Sequence, residues 1–177
     1  MEFILAQVIS VLTTAFSVLS MQFKNVKPIL LCQLMSNLLC SITYLLLGGF
    51  SGAAICLVAI LQCIVSFVCN VKDIKPHWLL CVGFTAVYVA CSIVWAQSVA
   101  DVFSAMGAVV FSIGMTQKKA SVTRLWYAAN PVCWMIYDVF TMAYGNLITH
   151  LIIFASTMAA IIRIDLAAYR KNGKKRS

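Results

Sequence analysis

Seven long stretches of this chain carry almost no charge, and this constrains the fold more than any other feature. Apolar runs occupy roughly 3–22, 28–47, 52–70, 78–97, 99–116, 122–143 and 146–165. They are divided at Lys24 to Lys27, Gly48 to Gly52, Val71 to His77, Gln97 to Asp101, Lys118 to Arg124, and Tyr144 to Asn146. A helix needs ~20 mostly apolar residues to cross a hydrocarbon core. Hydrocarbon offers no partner to backbone N–H and C=O groups, and a helix satisfies them internally. Strands of a membrane barrel would read as ~10-residue segments of alternating polarity; these runs are longer and uniformly apolar. Composition agrees, because 63% of the residues are apolar and only 10% charged, where a soluble domain has ~25% charged. Thirteen Lys and Arg with five Asp and Glu are too few to clothe a soluble domain. A soluble enzyme, a disordered chain and a nucleic-acid-binding module are thereby set aside. The expectation is an all-α polytopic membrane protein with seven transmembrane helices, one membrane domain over 1–166 and a basic tail over 167–177. The first run lacks a basic leading segment, and Gln22-Phe23-Lys24 is a poor cleavage site, so it reads as a retained helix.

Orientation follows from the basic residues. Lys24 and Lys27 fall between helices one and two, Lys72 and Lys75 between three and four, and Lys118, Lys119 and Arg124 between five and six. Arg163, Arg170, Lys171, Lys174, Lys175 and Arg176 lie at or after the end of helix seven. All 13 thus sort to one side, which the positive-inside rule makes the cytoplasm, with the N-terminus outside. The net charge of +8 is then a topology signal rather than a nucleic-acid footprint, although the tail suits anionic headgroups. Trp78, Trp95 and Trp126 lie near helix ends, as an interfacial belt requires.

The chain also repeats itself. Shifted by 93 positions, Asn37 meets Asn130, Cys40 meets Cys133, Tyr44 meets Tyr137, Gly52 meets Gly145, Ile55 meets Ile148 and Ile60 meets Ile153. With a small gap, Phe16-Ser17 aligns with Phe111-Ser112, Met21 with Met115 and Lys24 with Lys118. The expected plan is two parallel three-helix repeats, 3–70 and 99–165, joined by a linker helix at 78–97. Transporters often have repeats of this kind, with the substrate near the midplane between them.

A parallel three-one-three plan with the N-terminus out and the C-terminus in resembles the SWEET and PQ-loop superfamily. More closely, Gln33-Leu34-Met35-Ser36-Asn37, Asn130-Pro131-x-x-Trp134-x-x-Tyr137 and a last helix ending in Arg163 resemble the YgjV-like bacterial inner membrane proteins. That resemblance implies a bacterial inner membrane and a class of protein rather than a known substrate. The chain departs from the sugar-carrying relatives: it has no Pro-Gln dipeptide, only Pro131 matches their helix prolines, and Gln62 and Ala155 stand where a midplane Asn pair would be.

Strongly polar residues inside a membrane are the functional candidates. Asn130, Trp134, Tyr137, Asp138 and Thr141 share one face of helix six, and Pro131 removes a backbone hydrogen bond there and kinks the helix. With Asn37 as repeat mate, and Gln62 central in helix three, these residues are expected to line a solute cavity. Asp138 and His150 sit at similar depth on either arm of the turn at Tyr144-Gly145, where a pair would suit proton coupling. Asn70 reads as a helix cap, Arg163 as a snorkelling side chain, and the hydroxyl residues of helix one as packing groups that bond back to their own helix.

No cofactor or metal is implied. The eight cysteines form no C-x-x-C and no zinc spacing, so they read as packing residues. There is no P-loop, no H-e-x-x-H and no G-x-S-x-G motif, and no second intramembrane carboxylate for hydrolysis. The expectation is therefore not an enzyme. It is a secondary transporter or facilitator of a small polar solute in the inner membrane, with the lipid bilayer as its surroundings. The alternative is a non-transporting scaffold or receptor subunit. A homodimer is compatible with either, although the one G-x-x-x-G, Gly48 to Gly52, falls in a turn rather than mid-helix.

Overall fold

The computed structural model describes residues 2–46, 50–74, 78–94, 101–140 and 144–169. Each apolar run folds as a helix: α1 (Glu2–Ser20), α2 (Val26–Leu46), α3 (Phe50–Val71), α4 (Trp78–Val94), α5 (Asp101–Met115), α6 (Ala120–Phe140) and α7 (Tyr144–Ala160). A π-helical segment, Ile161–Leu166, continues α7, and the helix runs on to residue 169, past the end at 165 expected from the apolar run. Among the described residues there is no strand.

Val26–Thr43, Ala53–Val71 and Leu147–Tyr169 are long and apolar enough to cross a membrane. Shorter apolar helices cover Val8–Ser20, Trp78–Val94 and Val102–Met115; the 15 residues of α5 reach only about 22 Å at ~1.5 Å per residue. α6 belongs to neither set, because Arg124, Asn130, Pro131 and Asp138 dilute its apolar character.

The outer surface is apolar, with Val11, Ile93, Val94 and Phe140 each at least two-thirds exposed. Polar side chains turn inward instead: Ser17, Gln33, Ser36, Gln62, Ser112, Thr123 and Arg124 are buried. Lipid does not penalise an exposed Leu, while polar groups facing it would lose their partners.

Helices adjacent in the chain pack together: α1 on α2 and α2 on α3, then α5 on α6 and α6 on α7. α4 touches α3 and α5, and the two groups meet through α1 with α7, α3 with α5, and α2 with α6. Gly114 permits the close approach of α5 and α6, since a Cβ there would lie 3.1 Å from Trp126 Cβ. Met21, Ile29, Leu30, Cys63, Met115 and Tyr127 form the main apolar cluster where the groups meet. α3 ends in a Schellman turn: Ile74 N–H donates to the Cys69 carbonyl at 2.9 Å, and Asp73 takes the left-handed position usual for Gly, with φ 52°. Lys118 Nζ then donates to Asp73 Oδ1 at 2.9 Å. Gly52, expected in a turn, lies in the first turn of α3; Gly48, Gly49, Trp95, the side chains of Tyr44 and Asp138, Thr141 and the tail beyond 169 lie outside the described residues.

Candidate functional site: a cavity between the helix groups

A cavity of about 350 Å³ lies between the two helix groups, and all seven helices contribute to its wall. α1 supplies Ser10, Thr13, Thr14 and Ser17; α2 supplies Gln33, Ser36, Asn37, Cys40 and Thr43. α3 adds Ile55, Cys56 and Ala59, α4 adds Tyr88, and α5 adds Ala108 and Phe111. α6 contributes Tyr127, Asn130, Trp134 and Tyr137, and α7 contributes Thr149, His150 and Ile153.

Five expected site residues meet here: Asn37, Asn130, Trp134, Tyr137 and His150. Asn130 is buried and its Nδ2 donates to the Gly107 carbonyl at 2.7 Å, tying α6 to α5. Asn37 Nδ2 donates instead to Gln33 O of its own helix, at 2.7 Å. Asn37 and Asn130 thus share a cavity but anchor differently. Trp134 stacks on His150, centroids 5.9 Å apart and planes 18° from parallel, and meets Tyr137 edge-on at 5.7 Å. Gly107 makes room for the indole: a Cβ there would lie 2.8 Å from Trp134 Nε1. Pro131 sits buried inside α6 without ending it; lacking an N–H, it makes no bond to the carbonyl four residues back.

Gln62 is placed elsewhere. It is fully buried in α3, outside the cavity wall, and its Nε2 donates to Ser112 O at 2.8 Å and to Ser112 Oγ at 3.0 Å. Its position one turn beyond Ala59 carries it past the floor of the cavity, where it braces α3 against α5. The expected Asp138–His150 pair falls outside the described residues, because the Asp138 side chain does. Asn70 bonds back to Ser66 O at 2.9 Å, within its helix rather than across its end.

Several contributors escaped the sequence reading. Thr13 and Thr14 do bond back to Ile9 O and Ser10 O, each at 3.0 Å, yet the same side chains line the cavity. Their spacing with Ser10 and Ser17 along one face of α1 was the available signal. Tyr88, on α4, is buried in the wall, and its hydroxyl has no protein partner; nothing in its local sequence marks it. Cys40 and Cys56 also lie in the wall, and all eight cysteines are free.

The largest omission is at the other end of the molecule. Arg124 is 2% exposed and pairs through Nε and Nη2 with both carboxylate oxygens of Asp165, while Nη1 donates to the Phe23 carbonyl. Beside it, Gln22 Nε2 donates to Ser156 O at 3.1 Å and to Ser156 Oγ at 2.9 Å. Arg163 Nη2 donates to Gln22 Oε1 at 2.5 Å, so this arginine is held by a partner rather than only snorkelling. These bonds join the end of α1 to α6 and α7. The π-helical segment explains the geometry. At ~100° per residue, an α-helix would turn Asp165 about 140° from the buried Ala160. A π-helix closes its bonds five residues apart and brings Asp165 back toward that buried face.

Among the described residues, no three His, Cys, Asp or Glu side chains are grouped as a metal site. The profile of the Imp-YgjV family, described as a bacterial inner membrane protein, matches residues 4–168. No curated protein matches the chain, and no solved structure does. With nearly its whole length covered by the profile, the chain belongs to the YgjV family of bacterial inner membrane proteins.

Proposed function

We propose that this protein is a secondary transporter or facilitator of a small polar solute, with seven membrane-spanning helices arranged as two parallel three-helix repeats around α4. The observation that carries the proposal is the cavity: it sets polar side chains among apolar ones, takes residues from every helix and lies where α1–α3 meet α5–α7. Pockets that hold small molecules are of this size, with a few convergent polar groups among apolar ones. The repeat mates Asn37 and Asn130 would then contribute one residue from each side. The Arg124–Asp165 pair and the Gln22 contacts close the basic end, so the cavity belongs to the opposite end. With the basic end cytoplasmic, this is an outward-facing arrangement, and transport requires the lock to open as the two groups rock. A His150 paired with Asp138 would couple protons to that motion.

The test is thermal unfolding of the detergent-purified protein against a panel of polar metabolites, with Asn130→Ala and Trp134→Ala in parallel. A ligand at ~100 times its Kd stabilises by ~2.7 kcal/mol. The expected result is a shift with one compound class that both variants lose, followed by uptake of that compound into proteoliposomes. No shift across the panel, with variants as stable as the parent, would favour a scaffold or receptor subunit instead.

A further inference from the structure

Most of the hydroxyl groups that α1 and α2 set in the cavity wall spend their protons within the protein. Thr13, Thr14 and Thr43 each give their hydroxyl proton to a backbone carbonyl four residues back, at 3.0 Å. Ser36 gives its proton to Thr13 O at 3.1 Å. In the 2.6 Å contact between Ser17 and Ser36, Ser17 is therefore the donor. Asn37 and Asn130 each use one amide N–H on a carbonyl and keep the side-chain oxygen and a second N–H. A hydroxyl whose proton is committed still has lone pairs to offer. The wall is thus rich in acceptors, and no Lys, Arg, Asp or Glu occurs among its described residues.

Such a wall selects by charge and by hydrogen-bond direction. Against the α1 and α2 hydroxyls, a carboxylate or phosphate, which offers only acceptors, would set lone pairs against lone pairs. An ammonium is all donor, with three N–H groups and no acceptor. The aromatic residues Trp134 and Tyr137 favour a cation as well, through the negative faces of their rings. Tyr88 completes the set: its hydroxyl is buried in the wall without a protein partner, and buried polar groups are rarely left so. A ligand atom is the partner this position lacks.

Resting on the transporter reading of this cavity, we propose that its solute is a small organic ammonium carrying hydroxyl groups, and that the Tyr88 hydroxyl of the linker helix anchors it. The experiment uses three probes on one polyol skeleton: glucamine, sorbitol and gluconate, which end in an ammonium, a hydroxyl and a carboxylate. Binding is read by thermal shift on the full chain in detergent, for the parent, Tyr88→Phe and Asn130→Ala. Glucamine is expected to bind about tenfold more tightly than sorbitol, since charge-assisted hydrogen bonds are roughly twice as strong as neutral ones. Gluconate is expected not to bind. Tyr88→Phe is expected to melt at or above the parent temperature without ligand, because its hydroxyl has no protein partner to lose, and to weaken glucamine binding about tenfold. Gluconate binding as well as glucamine, with Asn130→Ala abolishing both, would overturn the solute class and leave the cavity as a binding site. No probe binding the parent would overturn the solute class and count against the cavity reading itself. A lowered melting temperature of unliganded Tyr88→Phe, or unchanged glucamine binding to it, would overturn the anchoring role.

Discussion

The two ends of the bundle bond in different ways. Around the cavity, polar side chains find partners on their own helix or on a neighbour in the same group: Thr13, Thr14, Asn37 and Thr43 reach four residues back, and Asn130 reaches α5. Toward the basic end, the bonds cross between groups. Gln62 joins α3 to α5, Lys118 joins the α5–α6 turn to the end of α3, and Arg124 and Gln22 tie α1 to α6 and α7. The difference is mechanical. Helices whose polar groups are satisfied locally can separate without breaking a hydrogen bond, so a cavity between them is tolerated. Helices cross-linked by a buried ion pair cannot part without exposing a charge.

The largest expected effect comes from breaking the crossed end. Arg124→Ala leaves the Asp165 carboxylate and the Phe23 carbonyl without their partner, and removing one member of a buried pair costs ~3–5 kcal/mol. Chemical denaturation in mild detergent would measure this. A loss below about 1 kcal/mol would place the pair with weak surface ion pairs and erase the contrast between the ends. Next is Gly107→Ala, which sets a methyl against Trp134. It is expected to destabilise by ~1–3 kcal/mol, as overpacking does, and to shift indole fluorescence. An unchanged spectrum would mean that the indole does not lie against α5. Gln62→Leu removes the brace between α3 and α5; interhelical hydrogen bonds in membranes average ~0.6 kcal/mol and reach ~1.7. Stability is expected to fall within that range while ligand binding persists, because Gln62 lies outside the wall. Loss of binding with unchanged stability would return it to the cavity. The smallest effect belongs to Gln22→Ala, at ~0.6 kcal/mol or less. Its sharper readout is accessibility: a cysteine placed near Ser156 should label faster from the basic side once the Gln22 contacts are gone.

The cross-linked residues show why one end was legible in the sequence and the other was not. Asn130, Trp134 and Tyr137 recur at helical spacing in a run otherwise apolar, and polar groups in such a setting must face protein. Arg124 carried a different meaning, because a basic residue near a helix end is explained by topology alone. Asp165 lies a few residues from the tail, on a face that α-helical periodicity turns away from the core. Gln62 was misplaced for a related reason: its depth was readable, but whether it turned to the cavity or to α5 depended on where α5 stood.

The helices, their order and the gathering of basic residues at the chain's breaks were present in the amino-acid order, because a bilayer imposes length and polarity on each segment separately. Those constraints are local, and local patterns record them. The pairing of Arg124 with Asp165 and Phe23, the room that Gly107 leaves for Trp134, and the place of Tyr88 depended on how distant helices dock. Lipid is as apolar as the helix surfaces, so hydropathy cannot say which faces meet. That choice rests on steric fit, on interhelical hydrogen bonds and on one π-helical turn that redirects a carboxylate.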